Sequence, residues 1–233
     1  LNAKSEIMAK PGLAEETYKT ALRAYISSLA TGKTADADKT VKKADDIMNG
    51  LKASVGATEE GQKKLISTYV GIARDLQTQM ENSPPAIRVA LGKGFENFLK
   101  RVGEDAKELN VLNWVGETFR AMGESFVEKK VVSAEAEQYF KESMKVYEKI
   151  LDMGKKNPKF LPPDMAIQIK MQMAKTHRQN QNFKEALDLF KDILKTKNLL
   201  LPVQMEVCLT YQDWAAKINR EEKDKTKALL YYR

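Results

Sequence analysis

Apolar residues recur at three- and four-residue spacing from one end of this chain to the other, and the alternation of a half-buried strand is nearly absent. The spacing predicts helices over 13–30, 36–54, 59–82, 85–102, 111–129, 133–155, 164–181, 183–197, 202–219 and 222–233. Between them fall residues that stop helices: Thr31-Gly32, Gly56, Ser83-Pro84-Pro85, Asn157-Pro158, Pro162-Pro163 and the run Asn180 to Asn182. Ser133 is placed to cap the helix that follows it. Asp164 comes straight after two prolines, whose fixed φ suits a first helical turn. About ten helices with short connections are expected to pair antiparallel with their sequence neighbours. The class is all-α.

An internal repeat narrows this further. Setting Met173-Ala174 over Val207-Cys208 gives a register of 34 residues, which also sets Met171 over Met205 and His177 over Tyr211. Within that register Ala174 and Ala186 stand twelve positions apart, and Phe190 follows four later. Small side chains let two helices approach, and an aromatic one turn along fills the space beside them. Period, small pair and aromatic together resemble the tetratricopeptide repeat. An earlier segment, Phe119 to Phe126, is similar in its first helix, with Gly123 as the small residue. Its second helix would be Tyr139 to Leu151, with Ser143 small and Tyr147 aromatic. There Gly123 and Ser143 are twenty residues apart rather than twelve, as are Cys208 and Ala228, which implies longer helices or an enlarged loop.

The resemblance covers 111–233 and is only architectural over 1–110. In the first stretch helix pairs persist, Thr17–Leu29 with Val41–Leu51 and Leu65–Met80 with Ala86–Val102. Their repeat spacing is degenerate, with Ala21 or Ala24 as the small residue opposite Ala44. The whole is expected to be an α-solenoid of antiparallel helix pairs, a TPR-like superhelix in which the two stretches are continuous.

Composition constrains the partners. Hydrophobic residues make up 42% and charged residues 30% of 233, the balance of a soluble folded chain. The net charge of +7 raises nucleic acid as a partner. It is spread evenly, with 15 Lys/Arg against 12 Asp/Glu in residues 1–100 and 24 against 20 in the rest. Both signs mix at helical spacing, as on solvated helix faces rather than a phosphate groove. No stretch reaches the ~20 apolar residues of a membrane span, and no charged-then-apolar leader opens the chain. With Leu1 first and the helical run Lys227 to Tyr232 uncapped at the other end, the chain reads as a piece of a longer polypeptide. A soluble, cytoplasmic setting is mildly favoured; a targeting signal in the remainder would overrule it.

Catalytic chemistry finds little support. The segment Ser28 to Thr34 ends like a phosphate-binding loop, but Ser27 stands where that loop needs glycine, and a helical pattern precedes it instead of a strand. Gly92 and Gly94 sit inside a helical pattern, where small residues admit a neighbouring helix. One histidine and one cysteine cannot build a zinc site. Cys208 and His177 could form a nucleophile pair only if the repeat brought them together, and both occupy slots that a repeat uses for packing. The adjacent acidic pairs, Glu15-Glu16, Asp45-Asp46, Glu59-Glu60 and Glu221-Glu222, point about 100° apart on a helix and suit helix starts better than acid–base work. No cofactor, metal or enzymatic activity is expected.

What the resemblance implies is a partner surface. Tetratricopeptide arrays hold a peptide or helix on the concave face lined by the first helix of each pair. The matching positions here are Glu117, Arg120, Glu124 and Glu128, then Gln168, Met171, Lys175, Arg178 and Gln179, then Met205, Leu209, Gln212 and Asp213. Met171 and Met205 are repeat-equivalent and are expected side by side, with Leu209 one turn on, as a pliable apolar strip or as packing between repeats. Lys175 and Arg178 could meet acidic groups, and Glu124 with Glu128 basic ones. The clamp by which one subclass grips a chaperone's terminal carboxylate needs asparagine where this chain has Glu124 and Lys175, so that partner is not expected. The expected role is a protein-interaction module or scaffold. The alternatives are a nucleic-acid-binding solenoid and the non-catalytic arm of a larger enzyme.

Overall fold

The computed structural model describes residues 13–30, 37–55, 58–82, 85–196, 200–221 and 229–231. Among them lie nine α-helices and one short β-hairpin, and consecutive helices pack against each other within residues 13–105 and within residues 109–221. The chain divides into two compact units, one reaching to Ala106 and one starting at Lys107.

The first unit holds α1 (Leu13–Ala30), α2 (Ala37–Val55), α3 (Glu59–Glu81) and α4 (Pro85–Asp105). The sequence neighbours α1 with α2 and α3 with α4 pair as expected, but α1 also packs on α3 and α4, and α2 on α4. Four helices that all touch share one core, built from Leu22, Met48, Leu51, Leu65, Leu76 and Leu99, each fully buried. Tyr69 stands on its edge against Phe98, ring centres 6.4 Å apart, and donates its hydroxyl proton to the Met48 carbonyl at 2.9 Å. Burial raises its pKa well above the usual tyrosine value. Of the two small residues expected on α1, Ala24 is exposed and Ala21 half-buried, and on α2 Gly50 takes the ring of Tyr18. Gly92 and Gly94 are both buried within α4. Thr31 to Thr34, the end of the loop-like segment, lie outside the described residues.

The second unit holds α5 (Leu109–Ser125), a hairpin of β1 (Val127–Glu128) and β2 (Val131–Val132), then α6 (Ala134–Lys156), α7 (Pro163–Gln179), α8 (Phe183–Thr196) and α9 (Leu201–Glu221). Here each helix packs on the next, and α7 also touches α5 and α9. The second helices, α6 and α8, flank a row of first helices. The partner expected for α9 over 222–233 lies outside the described residues apart from 229–231, which are helical.

Close approach in this unit follows the small residues. On α5 a Cβ added at Gly123 would stand 2.6 Å from the Phe140 ring, and one at Gly116 would stand 2.6 Å from the Tyr147 ring. One step of seven residues up α5 is matched by one of seven down α6, the register of an antiparallel pair. Ser143, expected opposite Gly123, instead donates its hydroxyl to the Gly116 carbonyl at 2.7 Å. The residues that play the parts of Ala186 and Phe190 in this pair are Ala136 and Phe140, fully buried like them. The α7–α8 pair closes on Ala174, Ala186, Phe190 and Ile193, with Val203 of α9 completing the cluster.

The connection expected as continuous helix to residue 129 is the hairpin. Val127 pairs with Val132 and Glu128 with Val131, and Lys129 and Lys130 make the two-residue turn at φ 50° and 62°. Such turns match the strand twist but ordinarily use Asn-Gly, because both central residues need positive φ. Lys-Lys gives no such signal in the sequence. Ser133 then caps α6 as expected, its hydroxyl accepting from the Ala136 amide at 3.1 Å. Pro162 and Pro163 open α7.

Candidate partner-binding face

Stacking first helices side by side places one flank of each against its neighbours and leaves the flank opposite the second helices to solvent. On α9 the buried positions are Val203, Thr210, Ala215 and Ile218. Leu201, Met205 and Leu209 follow one another at four-residue spacing, about one turn apart, on the exposed side at 64%, 58% and 40% exposure. Gln212 is exposed beside them. Cys208 is exposed on that side too, contrary to the packing role expected of it. Its repeat equivalent Ala174 is buried, in the cluster that Ala186, Phe190 and Ile193 of α8 complete.

The two methionines differ. Met205 faces solvent, whereas Met171 is half-buried against the Ala174–Phe190–Val203 cluster together with Val207. Met171 thus serves packing between repeats as much as it offers surface. Its neighbour Gln168 is exposed.

The charged residues of the face are tied to one another across the helices. Arg120 pairs with Glu124 one turn on, and Gln179 of α7 donates to the same Glu124 carboxylate and lies 3.5 Å from the Arg120 guanidinium. This stitches α5 to α7. Between α7 and α9, Lys175 lies 3.1 Å from Glu206, and Arg178 holds Glu206 at 3.0 Å and Asp213 at 3.3 Å. Arg178 and Glu206 are only 15% exposed, so their pairing is far less screened than a surface ion pair. Glu117 accepts from Asn113 on its own helix. Glu128 is absent from the helix face expected to carry it: it lies exposed on β1.

Sequence reasoning missed Glu206, Lys130 and Gln181. Glu206 could have been found, since it precedes Asp213 by two turns on α9 opposite Lys175 and Arg178. Lys130 reaches Asp213 at 3.4 Å only because of the hairpin, and Gln181 donates from its side chain to the Lys130 carbonyl at 2.8 Å. Gln181 holds the left-handed position, φ 61°, that ends α7: the Asn182 amide turns back to the His177 carbonyl at 2.8 Å, an ending that usually takes glycine.

His177 is half-buried, its Nδ1 without a hydrogen-bond partner, and burial lowers its pKa. Cys208, the other member of the conceivable nucleophile pair, is exposed. In the core of the α5–α6 pair, burial pushes the Tyr147 hydroxyl up to about 12. Among the described residues no cluster of three potential ligands could hold a metal ion, and no helix is long and apolar enough to cross a membrane. No family model matches the chain, and no curated protein matches it.

Proposed function

We propose that the second unit is a tetratricopeptide-type array that holds a partner protein, as a helix or extended segment, on the exposed flank of α5, α7 and α9. The observation that carries this reading is the uncharged stripe Leu201, Met205 and Leu209 on α9, bordered by the Lys175–Glu206–Arg178–Asp213 ion pairs. Exposed apolar residues in a row, rimmed by charge, mark surfaces that are covered in a complex. The 34-residue register, the Ala174–Ala186–Phe190 contact and the row of first helices support the family resemblance. Beside the stripe Lys175 and Arg178 are already paired with Glu206 and Asp213, which suits a protein partner better than a phosphate backbone.

Met205→Glu tests the reading. Immobilised wild-type chain should retain a partner from the native source that the variant loses, while both give the same circular dichroism and melting temperature. A variant that unfolds, or that keeps every bound protein, contradicts it.

A further inference from the structure

We infer that the cleft beneath the β1–β2 hairpin docks an acidic peptide segment; this rests on the partner-binding reading and assigns the partner its charge. The cleft, about 390 Å³, lies between the hairpin, the α7–α8 turn and α9. Four cationic side chains line it, Lys130, Arg178, Lys217 and Arg220, against two carboxylates, Glu124 and Asp213. Both carboxylates are already engaged, Asp213 by Arg178 and Lys130, Glu124 by Arg120 and Gln179. Lys217 and Arg220 lean on Glu221 at 4.0 and 3.2 Å, an exposed contact in water that an incoming carboxylate can replace at little cost. Val127 and Phe183 supply an apolar wall between the charges.

The backbone here is held in an uncommon state to put Lys130 where it is. Lys129, Lys130 and Gln181 are the non-glycine residues with positive φ among those described, and they meet at this one place through the Gln181–Lys130 hydrogen bond. Glycine would suit each position better, but at position 130 it would bring no ammonium group to the cleft rim. Net positive charge beside an apolar wall selects a segment carrying carboxylates with an apolar residue near them.

The test titrates the full chain with a short fluorescein-labelled peptide alternating Glu and Leu, with Gln/Leu and Lys/Leu peptides as controls. The Glu/Leu peptide should bind, more weakly as salt is raised. Lys130→Ala and Lys217→Ala should each weaken it about threefold, and Asp213→Asn, which releases Arg178 and Lys130, should tighten it by a similar factor. Equal binding of the Gln/Leu or Lys/Leu peptide, or no tightening by a folded Asp213→Asn, overturns the inference. If Met205→Glu still abolishes partner capture in that case, the acidic site fails and the apolar face stands.

Discussion

The two units use the same element and reach different ends. In the first, α1 packs back onto α3 and α4, so each helix is flanked on several sides and the apolar side chains converge on one core. In the second, helices pack chiefly on the next in line, with α7 bridging α5 and α9, and the exposed flank of α9 keeps Leu201, Met205 and Leu209 uncovered. Amphipathic helices bury their stripe wherever a neighbour can be found. What separates a bundle from an array is therefore how many sides of each helix are covered, and an array leaves one wall of its first helices open.

That contrast can be broken at its strongest point by Phe190→Ala, which empties a fully buried site in the α7–α8–α9 cluster and should cost about 3–5 kcal/mol. Hydrogen exchange should show amides of α5 to α9 losing protection while those of α1 to α4 keep theirs; equal loss in both would merge the units into one. Gly116→Ala should cost about 1–3 kcal/mol in thermal unfolding, because the new methyl meets the Tyr147 ring, which is itself buried and cannot swing away. The opposite sign is expected for Gly71→Ala on α3. Beyond the helix's own backbone nothing lies within 4 Å of that added methyl, and alanine in a helix interior gains about 0.5–1 kcal/mol over glycine. A loss of stability at Gly71, or a gain at Gly116, would undo the account of which helix pairs are close.

Helix positions were legible in the sequence because their signals are local. Periodicity placed every described helix, the Ser133 cap and the Pro162-Pro163 start. The Ala174–Ala186–Phe190 contact was legible too, since a turn of three residues leaves the register little freedom. The α5–α6 pair was misread, as Gly123 against Ser143, because the hairpin between them carries no Asn-Gly to announce it and its valines also suit a helix end. Glu128 was misplaced for the same reason. Cys208 was assigned to packing by analogy with Ala174, but Cys208 is exposed whereas Ala174 lies in a buried cluster with residues of α8. The ion-pair network was legible only in part: Glu206 stands two turns before Asp213, but each charge also fits a solvated face, and only the packing of α5, α7 and α9 shows that they meet.

The exposed flank of α9 can be probed directly, because the chain has one cysteine and it lies there, next to Leu209. In the folded protein Cys208 should react with a thiol reagent as readily as in denaturant, and the partner retained by wild-type chain should slow that reaction. A thiol that reacts only after unfolding, or one that a bound partner leaves unprotected, would contradict a partner surface on α9.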